Sequence, residues 1–484
     1  MSQPDVATPD SPQSTPPPFL AGTSETAELI RRHDRPGPRY TSYPTAVEFD
    51  GEVDATTYGE HLARAAERTS EPLSLYLHLP FCEERCLYCG CNVVVTRKRE
   101  VARRYLGFLE REIREVARRL GGRRTLRQLH WGGGTPTYLE PDAMRRLQSV
   151  VRGEFDLEPD AEVAIEIDPR VTSADHLEAI RDLGFNRLSV GVQDFTPAVQ
   201  QAVNRIQPYE ETLALVERAR ALGLGSINVD LIYGLPLQTP ETFQRTLDQV
   251  LSLRPDRLAV YSYAHMPWIK VQQKRIVEEQ LPTPDVKLEL IASALRTFQG
   301  AGYLPIGMDH FALPDDELGQ ALTRGTLWRN FMGYTVRHAP DMIGCGASSI
   351  GDVEGGFFQN EKKLVRYQKA IEAGRLPIEK GLISSADDRL RRYVITALMC
   401  AFRLDFADVE TRFGIDFRST FGQELEELRA LEDDGLVVLG DDRIDVVGAG
   451  RLFVRNVCMV FDAYLRQRLA ESEASARPRF SRTV

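Results

Sequence analysis

Leu73-Ser-Leu-Tyr-Leu-His-Leu79, then Pro80-Phe81, then Cys82-Glu-Glu-Arg-Cys86-Leu-Tyr-Cys89-Gly-Cys91 is the stretch that sets the frame for the rest of the chain. A short apolar run bounded by Pro72 and Pro80 reads as a buried strand. A helix follows it. Val101, Tyr105, Phe108, Leu109, Ile113, Val116 and Leu120 repeat at the 3.6-residue spacing of an amphipathic helix. The alternation recurs outward, with strands predicted over 73–79, 126–131, 163–168, 187–193, 227–232 and 257–263. Six successive βα units predict a parallel sheet with right-handed crossovers. Such a sheet either closes toward a barrel or stays open and doubly wound. No GxGxxG follows the first strand, and Gly344-Cys-Gly346-Ala-Ser-Ser only half resembles one and comes late. That weighs against a dinucleotide fold.

Around this frame lie other segments. The chain has 484 residues, 42% hydrophobic and 27% charged, which is globular usage. No run approaches the roughly 18 apolar residues of a membrane span. Met1 is followed by no basic and apolar signal pattern, so a cytoplasmic location is expected. The net charge of −10 argues against nucleic-acid and anionic-membrane partners. Residues 1–24, with six prolines and four serines, read as a disordered leader. Residues 25–72 form an N-terminal segment with a helix near 58–68. Its stretch Arg35-Pro-Gly-Pro-Arg-Tyr-Thr-Ser-Tyr-Pro-Thr45 is too proline-rich for a helix or central strand, but its aromatic content reads as an ordered, packed loop. The barrel region with its extensions is expected over 73–384, and a mainly helical C-terminal domain over 385–484. In that domain, helices are expected over 387–400, 405–413 and 417–433, a hairpin over 435–447 and a last helix over 448–469. Helices and a hairpin could form a winged-helix module. Residues 405–434, however, hold ten Asp/Glu against three Arg, which suits packing rather than DNA. The basic run 97–127 reads as a solvated helix face, with Arg97-Lys98-Arg99 also placed to attract an anionic substrate.

Cysteine placement points to chemistry. Of seven cysteines, Cys82, Cys86, Cys89 and Cys91 fall within ten residues, while Cys345, Cys400 and Cys458 sit among apolar neighbours as core residues. This is metal-binding spacing rather than a disulfide framework. In a parallel barrel the loop lies at the carboxyl end of the strands, where active sites sit. Four thiolates could close a zinc site, but such sites usually draw two pairs from separate turns, and no second CxxC exists. Iron–sulfur clusters also take closely spaced cysteines. Cys89 and Cys91 are one residue apart, which makes joint ligation to one cube awkward; three ligands would leave one iron open. The other strand ends carry polar residues. Gly132-Gly133-Gly134 ends the second strand, Glu166 stands opposite the Val163, Ile165 and Ile167 face, and Gln193 and Asp230 end the fourth and fifth. Their convergence on one barrel mouth favours a ligand. Carboxylates there suit ribose hydroxyls and an ammonium group.

The CxxxCxxC loop resembles the cluster motif of radical S-adenosylmethionine (SAM) enzymes. A longer set of blocks resembles one family within them, the oxygen-independent coproporphyrinogen III oxidases (coproporphyrinogen dehydrogenases). These blocks are Tyr76 through Asn92, Arg39-Tyr-Thr-Ser-Tyr-Pro-Thr45, His130-Trp-Gly-Gly-Gly-Thr-Pro-Thr137, Gly191-Val-Gln-Asp-Phe195, Asp230-Leu-Ile-Tyr-Gly-Leu-Pro236, Gly307-Met-Asp-His-Phe311 and Phe480-Ser-Arg482. They run from about residue 30 to the end.

The resemblance implies an α/β fold, an incomplete (β/α)6 barrel with a mainly helical C-terminal domain and an extended N-terminal segment, residues 25–72, packing near the active site. It implies that Cys82, Cys86 and Cys89, and not Cys91, hold one [4Fe–4S] cluster, and that each chain takes two SAM molecules. The cluster-bound SAM would meet Tyr76, Gly133, Glu166 and Ile350. The second would meet Tyr88, Gly134, Thr135, Gln193, Arg205, Asp230 and Ala264; at Tyr88 the family can also carry Phe. The implied reaction is oxidative decarboxylation of two propionates of coproporphyrinogen III to vinyl groups. It gives protoporphyrinogen IX for haem biosynthesis through a 5′-deoxyadenosyl radical. An electron donor protein of flavodoxin or ferredoxin type, an unnamed electron acceptor and a monomeric state belong to the same expectation. The alternative within the superfamily is a haem chaperone. Those relatives usually carry an aromatic residue where this chain has Cys91 and lack the N-terminal segment. Arg39, Tyr40, His310 and Arg329 are unranked candidates for holding the substrate carboxylates.

Overall fold

The computed structural model describes residues 24–471 and residue 480. The leader expected over 1–24 lies outside them except for Ser24, as do Ser481 and Arg482. Six strands, β1 Leu73–Leu79, β2 Thr125–Gly133, β3 Asp156–Ile167, β4 Arg187–Gln193, β5 Ser226–Tyr233 and β6 Arg257–Ser262, pair in parallel in chain order. An order that never reverses is single winding, which removes the doubly wound alternative. The sheet extends at both edges. Antiparallel β7 Leu304–Gly307 and β8 His310–Ala312 follow β6, and β9 Asp341–Cys345 pairs in parallel with β1. Beyond β9 lie β10 Ile350–Val353, β11 Gly356–Asn360 and β12 Ile378–Ile383, which completes twelve strands. β12 and β7 are the two edges and do not pair with each other, so the barrel is incomplete.

Helices cover the outer face, where Leu75, Leu77, Leu129, Trp131, Ile165, Val229 and Leu231 are fully buried. The longest, Arg99–Leu120, seals the β1 and β9 side with Tyr105, Leu109, Ile113, Val116 and Leu120. The predicted stripe is thus the packed one. The inner face is polar. At its floor Ser74 donates to Gln128 (3.1 Å), Gln128 donates to Glu162 (2.7 Å), and Arg187 pairs with Glu162 (3.1 Å). A closed eight-stranded barrel fills its interior with layered apolar side chains. This one is left open: the Glu166 side chain, halfway up the wall, keeps 41% of its surface accessible.

The N-terminal segment packs between barrel and C-terminal helices. Tyr40 donates to Asp462 (2.9 Å), the Ala463 amide donates to the Tyr43 hydroxyl (3.1 Å), and Arg455 donates to the Pro38 carbonyl (2.9 Å). The C-terminal region differs from expectation in two places. The helix expected over 448–469 is divided into Gly448–Arg451, Val454–Val460 and Ala463–Glu471. Asp462 is the break, since its carboxylate caps the last piece at the Leu465 amide (3.0 Å) and receives Tyr40. The helix expected over 417–433 divides at Phe421, which is fully buried against Phe417 and Phe461. Packing of that ring outweighs local helix continuity. The hairpin Val437–Leu439 and Arg443–Val446 gains a third strand, Arg403–Asp405.

Candidate active site

The cysteine loop leaves β1 at Pro80. Phe81–Cys82 pairs with Val94–Val95, which pins both ends of the loop. Arg97 pairs with Glu84, and Arg99 pairs with Glu83 while stacking on Tyr138 at 3.9 Å. These two cations therefore clamp the loop and do not stand as a free attractor for anions. From the far side Gln272 donates to the Cys89 carbonyl (2.6 Å) and Asn204 to the Arg85 carbonyl (3.0 Å).

Within the loop the thiols differ. Cys82 lies 3.6 Å from the Thr135 hydroxyl, and burial raises its thiol to about 11. The Cys91 side chain and amide hydrogen-bond the Cys89 sulfur, and together with Lys270 and Arg85 they hold Cys89 down to about 6. The sulfur of buried Cys86 faces two guanidinium groups, Arg170 and Arg205, each at 3.7 Å. Asp168 binds both arginines, at 2.6 and 2.9 Å. Burial would raise its carboxyl, but Arg205 and Arg170 outweigh that and hold it at about 2. The Arg205 Nε is buried without a partner. Thiols in one loop beside two cations suit a thiolate-ligated, negatively charged iron–sulfur cluster. Among the described residues no three His, Cys, Asp or Glu side chains converge on a single-ion site.

Tyr76, Gly133, Glu166 and Ile350 fall on one side of the mouth. Tyr76 bonds His78 (3.0 Å) and packs on His130 at 5.8 Å. His130 meets Glu166 (3.3 Å), and the Gly133 amide donates to the same carboxylate (3.0 Å). Burial raises the Glu166 carboxyl, but His130 and that amide outweigh it and leave it below its ordinary value. Ile350 opens β10, where its carbonyl lies against Gly344, the register partner of Tyr76. Gly133 has φ +118°, and a Cβ there would meet the His78 ring at 2.6 Å. A Cβ at Gly134 would meet the Pro80 backbone at 2.7 Å. Here these glycines admit neighbouring parts of the chain itself, so their need is structural before any ligand is considered.

The second expected set divides. Asp230, Gln193 and Arg205 share the β4–β5 wall: Arg205 donates to the Gly191 carbonyl (2.6 Å), and a Cβ on Gly191 would lie 3.0 Å from the Gln193 amide. Asp230 accepts from Asn228 (2.8 Å) and Ser189 (3.1 Å). Burial, aided by the Glu166 charge, raises it to about 6. Tyr88 and Ala264 are joined through buried Gln273, which donates to both carbonyls at 3.2 and 3.1 Å. Gly134 and Thr135 belong instead to the cysteine-loop side, since their amides donate to Leu79 and Phe81.

Sequence reading missed His78, Asp168, Arg170, Asn228, Ser189 and Gln273. Asp168-Pro-Arg170 directly follows the end of β3 at Ile167, so its place at a strand end was the available signal; Gln273 lies in an irregular segment and offered none. A cavity of about 370 Å³ at the opposite end of the strands is lined by Asp160, Glu162, Arg187, Asp316 and Arg337. Its charges answer one another, as in Arg187–Glu162 and Arg337–Asp160.

Comparison with known proteins follows the same lines. Residues 76–250 match the radical SAM superfamily, and residues 384–453 match the HemN C-terminal domain. The oxygen-independent coproporphyrinogen III oxidase of Pseudomonas aeruginosa is 48% identical over 463 residues, covering 95% of this chain and 98% of that protein. The Escherichia coli K12 protein of the same name is 46% identical over 440 residues, covering 91% and 95%. The solved structure of coproporphyrinogen III oxidase from Escherichia coli, described as a radical SAM enzyme, superposes with a TM-score of 0.86 at 45% identity. It covers 91% of this chain and 99% of that one. A polar-lined, singly wound barrel with a cysteine loop at its mouth, related over nearly its whole length to these proteins, belongs to the oxygen-independent coproporphyrinogen III oxidase family of radical SAM enzymes.

Proposed function

We propose that this chain converts coproporphyrinogen III to protoporphyrinogen IX by oxidative decarboxylation of two propionates, the vinyl-forming step of haem biosynthesis. Cys82, Cys86 and Cys89 hold one [4Fe–4S] cluster. One SAM binds with Tyr76, Gly133, Glu166 and Ile350, and a second with Tyr88, Gly134, Thr135, Gln193, Arg205, Asp230 and Ala264. Cluster and SAM, when bound, supply 5′-deoxyadenosyl radical chemistry. The chain's own part is to orient these groups and exclude water. Arg170 and Arg205 face Cys86 with positive charge that suits an anionic cluster. Glu166 offers a carboxylate already ionised to an ammonium group, while Asp230 offers one that ionises near neutrality. Segment 25–72 and domain 385–484 flank the barrel region 73–384 and cover the reaction. The electron donor is a small flavodoxin- or ferredoxin-type protein, and the enzyme acts as a cytoplasmic monomer.

The observation that carries this reading is the juxtaposition of the cysteine loop with an open, polar barrel interior. The test is anaerobic incubation of the reconstituted protein with SAM, a low-potential reductant, an electron acceptor to take the electron released with each CO2, and coproporphyrinogen III. Protoporphyrinogen IX should form with methionine and 5′-deoxyadenosine. Binding of the porphyrin without turnover under these conditions would sink the reading.

A further inference from the structure

Past β6 the inner face continues into a group of aromatic and basic side chains that the cluster and SAM residues do not use. His310 on β8 pairs with Ala259, so it shares the inner face with Tyr261 two residues on. Tyr261 and His310 rings meet edge-on at 5.9 Å, and His310 meets Tyr334 at 5.3 Å. Tyr334 is the register partner of Arg329 in the hairpin Trp328–Asn330 and Gly333–Thr335, and its ring carries the Arg329 guanidinium at 4.6 Å. The Tyr334 hydroxyl is spent on the Met399 carbonyl (3.1 Å). Arg39 reaches the same region from the N-terminal segment, but its charge is met by Asp309, and it lies over Tyr261 at 5.4 Å.

Arg329 is the exception. It is 91% buried by area, being 9% exposed, and its Nε and Nη1 are enclosed without a hydrogen-bond partner among the described residues. The neighbouring His310 Nδ1 is also enclosed and unpartnered. Burial and the Arg329 charge push that imidazole down to about 3, so it stays neutral and adds no second positive charge beside Arg329. A buried, unpaired guanidinium is costly unless an anion completes it. Its planar fork matches a carboxylate.

We propose that Arg329, with His310 beside it, is the receptor for one propionate carboxylate of the tetracarboxylate substrate, an inference that rests on the function proposed above. Tyr261 links this group to the reaction centre, because it lies close enough to Asp230 to feel its charge. The propionate held at Arg329 is an anchor, and the ring system then extends from it toward the barrel axis.

The test compares wild type, R329Q, R329M and R329K as reconstituted holoenzymes. Affinity for coproporphyrin III is read by fluorescence, KM for coproporphyrinogen III by turnover, and SAM cleavage is driven by dithionite alone. In R329Q and R329M, Kd and KM should rise about 10- to 100-fold, the loss of a charge-assisted pair. SAM cleavage without porphyrin should persist, and R329K should recover part of the affinity. The neutral tetramethyl ester of coproporphyrin III should bind all four proteins alike. The uncharged variants should melt at or above the wild-type temperature when free of substrate, a rise that a purely structural arginine would not give. Unchanged Kd and KM in whichever uncharged variant folds, or an equal loss for the ester, would overturn the assignment. Wild type that never turns over coproporphyrinogen III would instead refute the function on which it rests.

Discussion

The β1–β3 wall and the β4–β6 wall of the barrel are built on opposite principles. On the first, each carboxylate is answered by the chain itself: Glu166 by His130 and the Gly133 amide, Asp168 by Arg170 and Arg205. Both stay ionised below their ordinary range. On the second, Asp230 receives only the neutral donors Asn228 and Ser189, and its carboxyl is raised to about 6. Beyond it, Arg329 meets no carboxylate among the described residues. The first wall is complete before any ligand arrives. The second holds charge that a ligand must answer.

The largest effect expected on this contrast is at the loop the first wall supports. Cys86→Ser should lose the cluster and all turnover, read as iron and sulfide content and as the absence of 5′-deoxyadenosine. A normal iron content would remove the ligand assignment.

Asp168→Asn comes next. Withdrawing the anion from two half-buried to buried arginines costs about 3 kcal/mol, visible as a lowered melting temperature. The sign with pH is definite. The folded carboxyl at about 2 lies below the unfolded value of about 3.9. Its stabilisation is therefore full above pH 4 and fades as pH falls toward 2, and the variant should lack that dependence. An identical acid profile in both proteins would erase the contrast between the walls.

Asp230→Asn is the sharper probe of the second wall. Affinity for a second SAM should drop roughly 10- to 100-fold while the first site stays filled, as equilibrium dialysis would read. Here the pH sign is reversed. A folded value of about 6 exceeds the unfolded one, so the ligand-free protein loses stability as pH rises from about 4 to 6. Second-site binding should strengthen over the same interval. The substitution should flatten both, and stoichiometry of one SAM in wild type would make the comparison moot.

The smallest effect is expected at Cys91→Ser. The residue is exposed, and its amide and side chain hydrogen-bond the Cys89 sulfur. The cluster should still assemble, with at most a modest fall in turnover. Loss of iron here would move Cys91 into the ligand set.

What the linear chain determined is the alternation of strands and helices, the outer apolar faces and the cysteine loop at a strand end. These follow from periodicity and local spacing, and the helix Arg99–Leu120 and strand β1 lie where that periodicity puts them. Family resemblance extended this to named residues, but not to what each one touches. Only the tertiary structure decided the rest. The choice of single winding depends on which strands pair, a long-range matter. The breaks at Asp462 and Phe421 arise because Tyr40 and Phe461, distant in sequence, supply better partners than helix continuation. Likewise, whether an arginine is neutralised cannot be read from its neighbours in the chain. Arg39 meets Asp309 across 270 residues, whereas Arg329 meets an aromatic ring and, among the described residues, no acid. Charge compensation is settled by distances in space, and those exist only once the sheet has formed.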